Sequence, residues 1–150
     1  MGWVLLFVGF VLPLPIGWLL ISRLHADLAL SLIGLTSLPL LVWGASLGAK
    51  IGPCGVPDCM SSTQHSHLVV SIVALVLLVG AFVALGLKQM ELGGGVLIVS
   101  QIVGAYSMLK TDLAAAILLA IFAALGVAYL GYRYSERNDE LRVPDFPPAA

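Results

Sequence analysis

Residues 92–132 read LGGGVLIVSQIVGAYSMLKTDLAAAILLAIFAALGVAYLGY, and the way this stretch divides decides the fold. It is almost wholly apolar and about twice the ~20 residues that a helix needs to cross a ~30 Å hydrocarbon core. Lys110-Thr111-Asp112 is its one charged interruption. A break there gives two spans, 92–109 and 113–132, with Asp112 placed to cap the second. With the break the chain has five helices, and without it four.

Working outward, residues 68–87 form the cleanest apolar span, closed by a short charged break from Lys88 to Glu91. Residues 28–49 form another with Pro39 at its centre, and 3–22 form the first, with Pro13 and Pro15 inside it. Prolines are tolerated in membrane helices where neighbours re-satisfy the freed carbonyls, so a kink or a local 3₁₀ turn is expected there. Arg23 to Asp27 is a link short enough for an antiparallel hairpin. The polar tail 133–150 is expected to lie in water.

Composition agrees. The 150 residues are 60% hydrophobic and 10% charged, with a mean hydropathy of +1.06, whereas soluble domains carry about 25% charged residues. A backbone in lipid must satisfy its own hydrogen bonds, which leaves helices or a closed barrel. Continuous apolar runs without period-two alternation select helices. The expected fold is therefore an all-α polytopic transmembrane bundle. A net charge of −1 with no basic stripe gives nucleic-acid binding no footing. Residues 2–21 lack a basic n-region and a small-residue cleavage site, and are expected to be retained as a helix.

Charge bias orients the five-helix chain. One side holds Arg23, Lys88, Arg133, Arg137 and Arg142, and the other Lys50 and Lys110. The positive-inside rule puts the first group and the C-terminus in the cytoplasm of an inner-membrane protein, with the N-terminus outside.

The outer loop would then be GPCGVPDCMSSTQHSH, residues 52–67, with both cysteines and two of the three histidines. Three readings stay open for it. Cys54 and Cys59 can form a structural disulfide in an oxidising compartment. Cys54, Cys59, His65 and His67 together can complete a tetrahedral shell for zinc or copper. The cysteines can also form a redox pair, although four residues separate them where Cys-x-x-Cys is usual. Beyond zinc or copper at this loop, no cofactor is expected.

None of the predicted span cores contains Asp, Glu, Lys, Arg or His, which removes the usual marks of proton relays and ion pathways. Gln101, beside Ser100, is the most polar interior group, expected either to hydrogen-bond a neighbouring helix or to meet a lipid, quinone or pigment head group. Small residues repeat every fourth position: Ala116, Ala120, Ala124 and Ala128, then Gly80 and Ala84, then Ser100 and Gly104. Such ridges let helix backbones approach closely, within the chain or against a partner. Trp3, Trp18, Trp43, Tyr129, Tyr132 and Tyr134 stand near span ends as interfacial anchors.

Residues 91–137, with a Gly-rich start, a Thr-Asp turn and an acidic/basic exit, resemble the closing hairpin of ABC-importer permeases of the nitrate/sulfonate type. The coupling loop of those permeases, with its Glu-Ala-Ala, has no counterpart, so only the composition of the membrane helices is shared. The functional expectation is a non-catalytic accessory subunit of a larger bacterial inner-membrane complex, of respiratory, photosynthetic or oxidase type, with the bilayer and other membrane subunits as partners. A metal-binding or thiol-redox protein acting through the outer loop and a small oligomeric transporter of an uncharged solute are the alternatives.

Overall fold

Two aspartates start two helices. Asp27 Oδ1 accepts the Leu30 N–H at 3.1 Å, and Asp112 Oδ1 accepts the Ala115 N–H at 3.1 Å. Each carboxylate thereby satisfies a donor that a helix N-terminus leaves without an intrahelical partner. The computed structural model describes residues 11, 13–18, 22, 27–48, 62–109 and 111–142. Among them are five helices and no strand: α1 Pro13–Trp18, α2 Leu28–Gly48, α3 Ser62–Gly86, α4 Met90–Met108 and α5 Leu113–Arg142. The expected break is present between Met108 and Leu113, with Thr111 and Asp112 outside both helices, so five helices hold over four among the described residues.

Three of the helices are long and apolar enough to cross a membrane, over Leu28–Ser46, Leu68–Gly86 and Leu113–Leu141. The fold is thus an all-α transmembrane bundle. Helix α4 has 19 residues but is diluted by Gly93-Gly94-Gly95 and Ser100-Gln101. It tolerates them because it packs on three neighbours, α2, α3 and α5.

Helices α2 to α5 alternate in direction. Ser71 on α3 pairs with Ser107 on α4, and Leu85 lies against Gly93, so these two run antiparallel. Parallel to α4 runs α2, with Leu30 beside Gly94, Gly34 beside Leu97 and Gly44 beside Met108. Helices α3 and α5 do not touch among the described residues, which makes α2–α4 the short diagonal of the bundle. Leu30, Leu78, Leu85, Leu97, Met108 and Leu119 fill the centre.

The α3–α4 hairpin is the most closely packed pair. Its turn is a Schellman motif: the Gln89 N–H donates to the Ala84 carbonyl and the Lys88 N–H to the Leu85 carbonyl, both at 3.0 Å. Lys88 takes the left-handed position, φ 61°. Gly93 then brings α4 onto α3, where a Cβ would stand 2.8 Å from Leu85 Cγ and 3.0 Å from Leu85 N.

Several boundaries differ from the sequence reading. Helix α3 starts at Ser62, six residues before the apolar run, so His65 and His67 belong to helical turns and not to a loop. No glycine or proline stands between Cys59 and Gly80, and Ser/Thr residues favour a helix start. Helix α5 continues past Tyr132 to Arg142, so the first part of the expected tail is helical. The side chains of residues 132–141 are exposed, and Tyr132 Oη donates to Glu136 Oε1 at 2.7 Å one turn on. Pro144 lies just beyond it. Of the first expected span only residues 11, 13–18 and 22 are described, and Pro13 and Pro15 both sit in helix there.

Candidate functional site

The capping aspartates have a second role. The Tyr129 hydroxyl on α5 donates to Asp27 Oδ2 at 2.8 Å, and the Trp43 indole N–H on α2 donates to Asp112 Oδ2 at 3.3 Å. Each aspartate caps one helix of the antiparallel α2/α5 pair and accepts an aromatic donor from the other. At 1.5 Å per residue, the rise from Asp112 to Tyr129 is about 25 Å. That is close to a hydrocarbon thickness, so both aromatic rings stand where interfacial tryptophans and tyrosines belong.

Between these two levels the interior polarity is all hydroxyl and amide. Ser100 Oγ donates to the Ala74 carbonyl at 2.8 Å, and the Ser71 and Ser107 hydroxyls share a 2.8 Å bond, so both tie α3 to α4. Ser37 donates within its own helix to the Gly34 carbonyl at 2.8 Å. Gln101 and Ser31 break the pattern: both are fully buried, and neither the Gln101 amide atoms nor Ser31 Oγ has a partner among the described residues. The expected interhelical bond of Gln101 is made by its neighbour Ser100. Gln101 stands on the α4 stripe Gly94, Leu97, Gly104, Met108, whose other members meet α2. In a heptad seam, a polar residue at such a position fixes register at a cost in stability.

The small-residue ridges divide. Ala84, Ser100, Gly104 and Ala116 are buried, and Gly104 lies against Leu41. Ala120, Ala124, Ala128 and Gly80 are exposed. Ala116, Ala120 and Ala124 line an apolar groove of about 530 Å³ on the outer seam of α4 and α5, walled by Ile98, Ile102 and Tyr106. At the α5 end beyond Tyr129, a second cleft of about 780 Å³ opens beside the first turn of α4. Met90, Val127 and Leu130 give it an apolar floor, with Arg133, Arg137 and Glu140 among its polar rim. Val127 lines both, so groove and cleft adjoin at that side chain.

Across the cleft mouth, Arg137 Nη1 meets Glu91 Oε1 at 2.8 Å, and Arg133 lies 3.6 Å from Glu136. Pairs this exposed contribute about 0–1 kcal/mol each. The sequence reading missed this cleft because it ended the helix at Tyr132. Extending the 3.6 period shows the signal, with Val127, Leu130, Tyr134 and Arg137 on one face.

Cys54 and Cys59 lie outside the described residues, as do the side chains of His65 and His67, so the disulfide, metal and redox readings of that loop do too. Among the described residues no group of three or more His, Cys, Asp or Glu is placed to hold a metal ion. The chain matches no protein-family model, and neither a curated protein nor a solved structure shows significant similarity to it.

Proposed function

We propose that this chain is a non-catalytic accessory subunit of a larger inner-membrane assembly, and that a transmembrane helix of a different chain packs on the outer face of α3. The observation that carries the reading is the pattern of that face. Val69, Ile72, Val76, Val79 and Val83 recur at alternating spacings of three and four, and all are exposed, Val76 to 65% and Val79 to 60%. This is the spacing that a left-handed helix pair uses at its seam, and β-branched residues occupy every one of these positions. β-branched side chains are already restricted at χ1, so covering them costs little rotamer freedom. Gly80, on the same face, has nothing within 4 Å of an added Cβ, which leaves room for a second backbone.

The interior supports a packing role, since no Asp, Glu, Lys, Arg or His lies between the two aspartate–aromatic levels among the described residues. By the positive-inside rule, the end with Lys88, Arg133 and Arg137 faces the cytoplasm.

The test is purification of the tagged chain in mild detergent, with mass spectrometry of what accompanies it. A stoichiometric membrane chain is expected, and it should be lost in a Val76→Trp/Val79→Trp variant that keeps wild-type helicity. A lone monomer overturns the reading, as does a homodimer, or retention of the partner by the double variant.

A further inference from the structure

We infer that the α4/α5 seam binds one phospholipid with a zwitterionic, amine-bearing head group, its acyl chain in the apolar groove and its head group in the cleft at the Arg133 end. The inference stands apart from the proposed partner on α3. Three observations converge on it.

The first is continuity. The groove through Ile102, Ala120 and Ala124 and the cleft under Arg133 and Arg137 adjoin at Val127, so an apolar lining gives way to a polar one along the same seam. An acyl chain and its head group need such a change of lining at one point along their length. A partner helix would not require a polar cleft at its end.

Depth is the second. Tyr129 marks one interfacial level, and Arg133 to Arg137 rise about 6–12 Å beyond it. Head-group layers occupy roughly 5–7 Å on each side of the hydrocarbon, from the total and core thicknesses of a bilayer. Arg133, about 6 Å beyond Tyr129, therefore stands at the height of the phosphates, and the cleft extends past it toward water. The groove runs from there toward the bilayer interior.

The third is charge. The cleft is lined by Glu91, Glu136 and Glu140 against Arg133 and Arg137, one more carboxylate than guanidinium. Glu91 is held by Arg137 at 2.8 Å, while Arg133 is only loosely engaged by Glu136 at 3.6 Å. Arg133 is left to contact a phosphate, and Glu140 to accept from a primary ammonium. A net anionic head group would add to the carboxylate excess. A choline head group offers no N–H donor.

Gly131 makes the site testable, because it lines the cleft and an added Cβ there meets nothing within 4 Å. Gly131→Leu fills the head-group space while leaving the packing of α4 on α5 alone. The full chain is delipidated in detergent, and Tm is measured with dioleoyl phosphatidylethanolamine, phosphatidylcholine or phosphatidylglycerol. At saturation the ethanolamine lipid is expected to raise Tm by about 5–10 °C, more than either other lipid, and Gly131→Leu to abolish the rise. Glu140→Gln, a surface change independent of whether Gly131→Leu folds, should erase the preference over phosphatidylglycerol. Equal shifts from all three lipids overturn the head-group assignment. An undiminished shift in Gly131→Leu, or no shift from any lipid, overturns the site.

Discussion

Gly93 and Gly95 sit two residues apart in one turn of α4, and the same substitution should act on them with opposite sign. Alanine in place of glycine in a helix interior gains about 0.5–1 kcal/mol from backbone entropy and propensity. At Gly95 nothing lies within 4 Å of the added methyl, so that gain should be expressed in full. At Gly93 the methyl stands 2.8 Å from Leu85 Cγ and 3.0 Å from Leu85 N. A leucine branch can rotate away, but a backbone nitrogen moves only if α3 and α4 part, and overpacking of this kind costs about 1–3 kcal/mol. Subtracting the two variants cancels the propensity term, because residue change and helix are the same. The difference should therefore be about 1–3 kcal/mol in favour of Gly95→Ala. Gly94→Ala should fall between them, since the nearest atoms to its methyl are flexible side-chain ends, the Leu130 methyls at 2.9 Å and Leu30 Cδ1 at 3.2 Å. The assay is reversible unfolding in mixed micelles of mild detergent and dodecyl sulfate, followed by tryptophan fluorescence. Stabilities for Gly93→Ala and Gly95→Ala within 0.5 kcal/mol of each other, a margin set by the propensity uncertainty, would refute the close approach of α3 and α4.

Two further changes probe the interior and the turn. Gln101→Leu replaces a buried amide without partners by an apolar group of similar size, so it should stabilise the bundle by up to about 1–3 kcal/mol in the same unfolding assay; a loss of stability would show that the amide is engaged. Lys88→Gly removes the side chain from a left-handed position, φ 61°, and should stabilise by about 1 kcal/mol, read as a higher unfolding midpoint at unchanged slope; an unchanged midpoint would count against the Schellman turn.

Most of the architecture was legible because lipid imposes one strong rule. Each span had to be apolar for about 20 residues, and Lys110-Thr111-Asp112 could not be buried within one. Asp112 announced its cap, and Ser100 its place inside. What the sequence hid were features that do not depend on apolarity. Ser62 to His67 are helical but polar, because the first turn of a helix can stand in water. Arg133 to Arg142 are helical for the same reason at the other end. The aspartate–aromatic pairs join residues 102 and 69 positions apart, so no local pattern encodes them. Which alanines of the α5 ridge face inward was likewise set by where α4 lies. Ala116 is covered, whereas Ala120 and Ala124 line the open groove.

The rhomboid packing separates the two surfaces proposed to bind something. Helices α3 and α5 sit on opposite corners and do not touch among the described residues. A helix laid along Val69 to Val83 therefore leaves the α4/α5 seam open to lipid. Gly131→Leu should change lipid response without releasing a partner, and Val76→Trp/Val79→Trp should do the reverse. Between the two faces runs α4, diluted by Gly93-Gly94-Gly95 and Ser100-Gln101, held by hydroxyl bonds to α3 and closed by the aspartate-linked α2/α5 pair. A helix with three successive glycines and a buried amide is a poor lipid-facing element, but enclosed on three sides it lets its neighbours come close. That arrangement frees the outer faces of α3 and α5 to carry patterns the bundle itself does not need. The α3 seam and the α5 channel are two such patterns, and they are where binding should be sought.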